Sequence, residues 1–113
     1  MNLFVYGTLM YREQIEFLLR RKLGDPVKAA IPNFTMVVIS EWGYPVIIPE
    51  SNSIVEGVIW RELTEKDFIT LDHYEGCNKE FAVYQRERQK VVVGGHEEEA
   101  WVYVASPAFL ESE

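Results

Sequence analysis

Phe68, Leu71 and Glu75 are spaced three and four residues apart, and on a helix that spacing puts all three on one face. Two of the three are apolar, so this is the face a helix turns toward a core, and Glu75 points the same way. A carboxylate held against an apolar wall resists ionisation, and its pKa rises toward neutrality. The C-terminal end of a helix, where Glu75 falls, disfavours negative charge and pushes in the same direction. Such a group can take a proton and return it near neutral pH, the work of a general base and then acid. The competing arrangement is a frayed last turn, in which Gly76 lets the helix unwind and Glu75 swing to solvent. Asp72, on a neighbouring stripe with Phe68 and Ile69, is a weaker carboxylate candidate and could equally bond nearby backbone amides. His73 and Cys77 are four apart, but Cys77 falls beyond Gly76, so helical spacing no longer holds and a thiolate–imidazole pair is a poor reading. His96 sits in a Gly-Gly-His-Glu-Glu-Glu run and reads as solvated. No cluster has metal-ligand spacing, and no glycine motif for cradling phosphate is present.

The second stretch with chemical potential is at the start of the chain. Leu3-Phe4-Val5-Tyr6 reads as a strand buried on both faces, because no polar residue interrupts it. Gly7-Thr8 stops it and hands the chain to a polar, helix-forming stretch, and a glycine permits a bend there that other residues make only at a cost. The N–H groups of residues 7 to 9 then lack ladder partners and can converge on an anion or a carbonyl oxygen. The plain alternative is a tight strand-to-helix turn with water on those amides.

The elements that must position these residues follow from periodicity and punctuation. Arg12 to Lys22 carries Ile15, Leu18 and Leu19 at helical spacing, with Leu23 next and Gly24 as the C-terminal stop. Arg20, Arg21 and Lys22 read as its solvated face. Val27 to Ile31 reads as a short strand broken by Pro32-Asn33, and Phe34 to Ile39 as a stronger one. Ser40 to Pro45 is a loop with two large aromatics. Val46 to Ile48 is a strand stopped by Pro49, Glu50 to Ser53 a polar turn, and Ile54 to Trp60 a strand with Gly57 marking a bulge or a close approach. Thr64 caps a helix that runs from Glu65 to about Tyr74 and ends at Gly76, with Asp67 three positions on. Phe81 to Val93 is one long strand, Gly94-Gly95 starts a hairpin, and Ala100 to Ala105 returns as the partner. Pro107 closes the structured part, and residues 109–113 read as a fraying tail. An alternating strand–helix pattern is absent, so the pattern predicts an α+β fold: a curved mixed sheet or small barrel with two main helices packed on it.

Size and composition bound the rest. The chain has 113 residues, 48% of them hydrophobic and 26% charged, which fits one globular domain over residues 1–113. A net charge of −7 argues against nucleic acid and anionic membranes as partners. No apolar run approaches a membrane span, no signal pattern opens the chain, and the single Cys77 excludes an internal disulfide framework. A cytoplasmic location is the economical expectation.

Two motifs in order resemble a known family. Phe4-Val5-Tyr6-Gly7-Thr8-Leu9 resembles the Tyr-Gly-[Ser/Thr]-Leu signature of the γ-glutamylcyclotransferase-like (AIG2-like) superfamily, and Leu71-Asp72-His73-Tyr74-Glu75-Gly76 its Leu-Asp-x-[Tyr/Phe]-Glu segment. Between them Tyr44-Pro45 and Val55-Glu56-Gly57 fall in the family's order, and Ala82-Val83-Tyr84-Gln85-Arg86 resembles its Tyr-x-Arg strand. The resemblance spans residues 3 to 104 and is nearest the short branch that includes γ-glutamylamine cyclotransferase. It implies a mixed barrel whose cavity is lined by the Tyr6-to-Leu9 loop, with Glu75 at the catalytic position and release of 5-oxoproline from a small γ-glutamyl amine or amino acid. It implies substrate contacts from Tyr6, Gly7, Thr8 and Leu9, a wall from Tyr44 and Pro45, a hydroxyl from Tyr84, and no metal or cofactor. Met10-Tyr11-Arg12-Glu13 departs from the basic residue and glycine many relatives carry there, and the C-terminal cover of longer members is not expected.

Three functional readings follow. The first is an enzyme acting on a small-molecule γ-glutamyl substrate, as a monomer or weak homodimer. The second is a non-catalytic module that binds a small carboxylate in the same pocket. The third is an interaction protein with Trp42-Gly43-Tyr44 as an aromatic anchor. Exposure of Glu75 separates the first from the rest.

Overall fold

The computed structural model describes residues 1–39, 44–77, 79 and 82–111. Five strands, β1 (Leu3–Val5), β2 (Val27–Ile39), β3 (Tyr44–Trp60), β4 (Tyr84–Val93) and β5 (His96–Ala105), close into a barrel in the order β1-β3-β2-β4-β5. Four of the strand pairs are antiparallel. The pair that seals the ring, β1 with β5, is parallel, with Leu3 opposite Trp101 and Phe4 opposite Val102. A 3₁₀ turn (Thr8–Met10) and three helices, α1 (Arg12–Leu19), α2 (Glu65–Glu75) and α3 (Pro107–Glu111), complete the α+β fold.

Alternation along the strands divides the core in two. Phe4, Ile31, Ile47, Val55, Ile59, Val91 and Val102 meet in one buried cluster that fills the barrel. Leu3 and Val5 point the other way and join Ile15, Trp60, Phe68 and Leu71 in a second cluster under the helices. The uninterrupted apolar run of β1 is thereby explained, since every residue of it is buried.

Several breaks expected from the sequence are absent. Pro32 and Pro49 do not end strands: β2 and β3 pass through them as continuous elements. The register jumps from Pro32 opposite Ile54 to Phe34 opposite Pro49, and the slack is taken up by Asn33 at φ 65° and Asn52 at φ 66°. Asparagine tolerates that left-handed conformation, and the Asn52 N–H donates to Asn33 Oδ1 at 3.3 Å. Proline is tolerated beside such a bulge, where the ladder is locally interrupted.

The first helix also ends early, at Leu19, with Arg20 in the left-handed region at φ 57°. Its continuation is overruled by contacts that draw Leu23 back to the core. Arg12 Nη1 donates to the Leu23 carbonyl at 2.8 Å, and the Leu23 N–H donates to Glu16 Oε2 at 2.6 Å. Arg21 is not merely solvated: it donates to the Asp67 carboxylate at 2.7 Å, tying the end of α1 to the start of α2. β4 begins at Tyr84, while residue 81 lies outside the described residues. β5 starts at His96, earlier than expected, and Pro107 opens a short helix. Of the Trp42-Gly43-Tyr44 loop only Tyr44 lies within the described residues, as do none of residues 112–113. Gly57 marks a close approach, since a Cβ there would stand 2.1 Å from the Val5 carbonyl oxygen.

Candidate active site

Glu75 is the last residue of α2, and the helix end is built rather than frayed. Thr64 Oγ1 accepts the Asp67 N–H while Asp67 Oδ2 accepts the Thr64 N–H, a reciprocal cap that fixes the start. At the far end Gly76 takes φ 72°, a conformation glycine adopts without penalty. The Gly76 N–H donates to the His73 carbonyl at 3.1 Å and the Cys77 N–H to the Asp72 carbonyl at 3.0 Å. With Phe68 and Leu71 buried on the same face, the side chain of Glu75 is directed into the wall of a cavity of about 560 Å³. It is half-buried there, and loss of solvent pushes its carboxyl up to about 7.

The turn after β1 contributes another wall. Gly7 sits at φ −122°, so it is not the left-handed bend that requires glycine here. A Cβ on Gly7 would lie 3.2 Å from Pro45 Cγ, and its absence lets Pro45 close over the turn. The Met10 N–H donates to the Gly7 carbonyl at 3.0 Å, whereas the N–H groups of Thr8 and Leu9 have no protein partner among the described residues. That is the expected state of the first amides of a helical turn. The turn is anchored from behind: buried Trp60 donates from Nε1 to the Leu9 carbonyl at 2.8 Å.

Two tyrosines furnish the polar lining. The Tyr6 hydroxyl donates to the Tyr103 carbonyl at 2.5 Å, and the Tyr84 hydroxyl to the Pro45 carbonyl at 2.5 Å. Each proton is thus committed to a backbone oxygen, and what each hydroxyl has left to offer a ligand is its lone pairs. Burial, then the neighbouring Tyr84 and Glu75, raises Tyr6 above the usual phenol range. Burial followed by Glu75 does the same for Tyr84. Tyr44, at the start of β3, is exposed at the cavity rim. All eight residues singled out from the sequence (Tyr6, Gly7, Thr8, Leu9, Tyr44, Pro45, Glu75 and Tyr84) line this one cavity.

Asp72 belongs elsewhere. Its carboxylate bonds the side chains of Arg86 and Tyr103 rather than backbone amides. His73 is exposed, and burial pushes the Cys77 thiol up to about 11, so no thiolate–imidazole pair forms. His96 Nε2 lies 3.0 Å from Glu98 Oε2 on the surface. Among the described residues no group of three His, Cys, Asp or Glu side chains is arranged to hold a metal ion. Tyr103 and Lys79 also line the cavity and were not singled out from the sequence. Tyr103 reaches it only because β5 closes against β1, a pairing no local signal announces.

Known proteins converge on this architecture. The family model described as gamma-glutamyl cyclotransferase, AIG2-like, matches residues 3–113. AIG2-like protein D of Arabidopsis thaliana is 30% identical over 92 residues, which is 81% of this chain and 57% of that protein. The chain thus spans little more than half the length of this relative. An Arabidopsis thaliana protein solved in solution superposes with a TM-score of 0.80 at 25% identity, over 95% of this chain and 69% of the other. A structure of a gamma-glutamyl cyclotransferase shares the fold with a TM-score of 0.78 at 19% identity, over 94% of this chain and 66% of that one. With the two motifs lining one cavity in a barrel of this topology, the chain belongs to the γ-glutamyl cyclotransferase, AIG2-like family.

Proposed function

We propose that the protein is a γ-glutamyl cyclotransferase that releases 5-oxoproline from a small γ-glutamyl amine or amino acid. The observation that carries this reading is the half-buried carboxylate of Glu75, whose pKa is lifted to about 7 on the wall of a cavity that opens to solvent. A base that titrates near the working pH is best matched to moving protons in both directions.

The substrate brings its own nucleophile, an α-amine that arrives as ammonium. Glu75 as carboxylate takes one proton from it. The free amine nitrogen then attacks the γ-carbonyl carbon of the same molecule, forming the ring C–N bond and placing the carbonyl electron pair on oxygen. Holding the chain folded so that both ends meet supplies much of the acceleration. The amides of Gly7, Thr8 and Leu9 stabilise the developing oxyanion or hold the substrate's carboxylate. As the carbonyl re-forms, the original C–N bond breaks and protonated Glu75 returns its proton to the departing amine. The carboxylate so regenerated takes the second proton from the ring nitrogen, leaving the neutral lactam, and passes it to the released amine, which departs as ammonium. Tyr6 and Tyr84, with hydroxyl protons already engaged, accept from the ammonium. Tyr44 and Pro45 wall the leaving half. Every atom and proton is accounted for without a cofactor.

The test is release of 5-oxoproline from a panel of γ-glutamyl amines and dipeptides by wild type and by Glu75→Gln. Turnover by wild type with a loss of about 10²-fold or more in the variant is the expected result. Undiminished turnover in the variant removes Glu75 from the mechanism. No turnover by either folded protein leaves a small-carboxylate-binding module.

A further inference from the structure

Asp72 lies one helical turn before Glu75, and its carboxylate is gripped by the two strands beneath α2. Arg86 of β4 donates from Nε to Asp72 Oδ1 at 2.8 Å and from Nη2 to Oδ2 at 3.0 Å. This two-point geometry fixes direction as well as distance. The Tyr103 hydroxyl of β5 donates to the same Oδ1 at 2.7 Å. The guanidinium is held in turn, with its central carbon 4.6 Å from the Phe68 ring centroid and 4.4 Å from that of Trp101. To swing away it would have to leave two aromatic faces at once. Meanwhile the Asp72 carbonyl accepts the Cys77 N–H across the Gly76 cap. Side chain and main chain of Asp72 therefore tie α2 to the barrel and to the following loop, and Glu75 sits between the two ties. The network continues to the cavity, because Tyr103 lines it and its carbonyl accepts the Tyr6 hydroxyl.

We propose that Asp72, Arg86 and Tyr103 are positioning residues, a charge-neutral clamp that sets the Glu75 carboxylate on the cavity wall and cancels the charge one turn behind it. The proposal rests on Glu75 as the base of the cyclisation. Asp72 alone would make ionisation of Glu75 harder, and Arg86 alone would make it easier. Paired, they offset each other, and burial is left as the cause that raises Glu75. That the three charges share a neighbourhood is visible at Cys77, which feels Asp72, Glu75 and Arg86 together. The other titratable groups around Glu75 are the Tyr6 and Tyr84 hydroxyls, the Cys77 thiol and, at the cavity wall, Tyr44, Tyr74, Lys79 and Tyr103. None of them changes in the comparisons below except through the clamp itself.

The experiment is a carbon-13 NMR titration of the Glu75 carboxyl in the intact chain, with kcat and kcat/KM recorded against pH for the same proteins. The variants are Asp72→Asn, Arg86→Gln, the double variant and Arg86→Lys. Arg86→Gln strands the Asp72 charge and moves the Glu75 midpoint up. Asp72→Asn strands the guanidinium and moves it down, each by about one pH unit or less given partial exposure of the pair. The double variant returns the midpoint toward wild type. Arg86→Lys keeps the charge without the planar fork, so it holds the midpoint near wild type while kcat falls about 10- to 100-fold from misplacement. A merely structural role would weaken every variant without shifting the midpoint in opposite directions. Midpoints that stay put, or that move the same way in both single variants, overturn the clamp. If Arg86→Gln fails to fold, the near-isosteric Asp72→Asn against Arg86→Lys carries the comparison. The titration needs no turnover, so the expected shifts in a protein that releases no 5-oxoproline would sink the proposed reaction and sustain the clamp.

Discussion

At pH 8 the Glu75→Gln protein should be more stable than wild type, and near pH 4 the two should be close. The folded state raises the Glu75 carboxyl from 4.5 to about 7, so folding favours the protonated form. That contribution is fully present below about 4.5 and is lost as pH rises through about 7. At about 1.4 kcal/mol per pKa unit the whole window is worth on the order of 3 kcal/mol. Denaturant unfolding of both proteins at several pH values reads it directly, and a pH-independent difference would contradict the burial. The same titration should appear in catalysis, with kcat/KM falling on the acid side of about 7 as the carboxylate is lost. Glu75 was legible in the sequence because three residues on one helical face suffice to aim it. The donors that Tyr6 and Tyr84 have already spent were not, since the carbonyls that accept them belong to residues far along the chain.

At the scale of elements, Thr64→Ala should cost about 1 kcal/mol by removing half of the reciprocal cap of α2. The measurement is the denaturation midpoint at constant m-value. Asp67 is shared between that cap and Arg21, so Asp67→Ala should cost more than Thr64→Ala. Equal costs would show the Arg21 bridge to be idle. The cap, the β1 run and the Gly94-Gly95 hairpin were readable because each is encoded by adjacent residues. The continuity of β2 and β3 was not. Pro32 and Pro49 are strand breakers by local rules, and what overrides them is a bulge whose two left-handed asparagines lie on different strands. The early end of α1 was hidden for a related reason, as Arg12 and Glu16 reach forward to Leu23.

Across the whole molecule, Gly57 shows how tightly the barrel is drawn. Gly57→Ala would set a Cβ 2.1 Å from the Val5 oxygen and 2.9 Å from Phe4 Cζ. Backbone cannot yield as a flexible side chain would, so the variant should lose about 3 kcal/mol or fail to fold. Thermal unfolding of the purified protein, or its absence from the soluble fraction, distinguishes these. The sequence indicated a mixed barrel through its strand count and family motifs, but the strand order depends on pairings between distant residues. Of these the parallel contact of β1 with β5, Leu3 opposite Trp101 and Phe4 opposite Val102, is the most remote in sequence.

That contact has a consequence for how the protein comes to exist. During synthesis the strand that leads into Tyr6 is made well before β5, and until β5 follows it has only β3 to pair with. The Tyr6 hydroxyl cannot find the Tyr103 carbonyl, nor Asp72 the Tyr103 hydroxyl, in any shorter nascent chain. The cavity wall that Tyr6 and Tyr103 form together is therefore complete only once β5 has joined β1. Ring closure over so long a stretch of chain also makes refolding slow for a domain of this size, in the millisecond-to-second range expected for distant strand pairing. Recovery of activity after dilution from denaturant should coincide with that final phase and show no earlier burst.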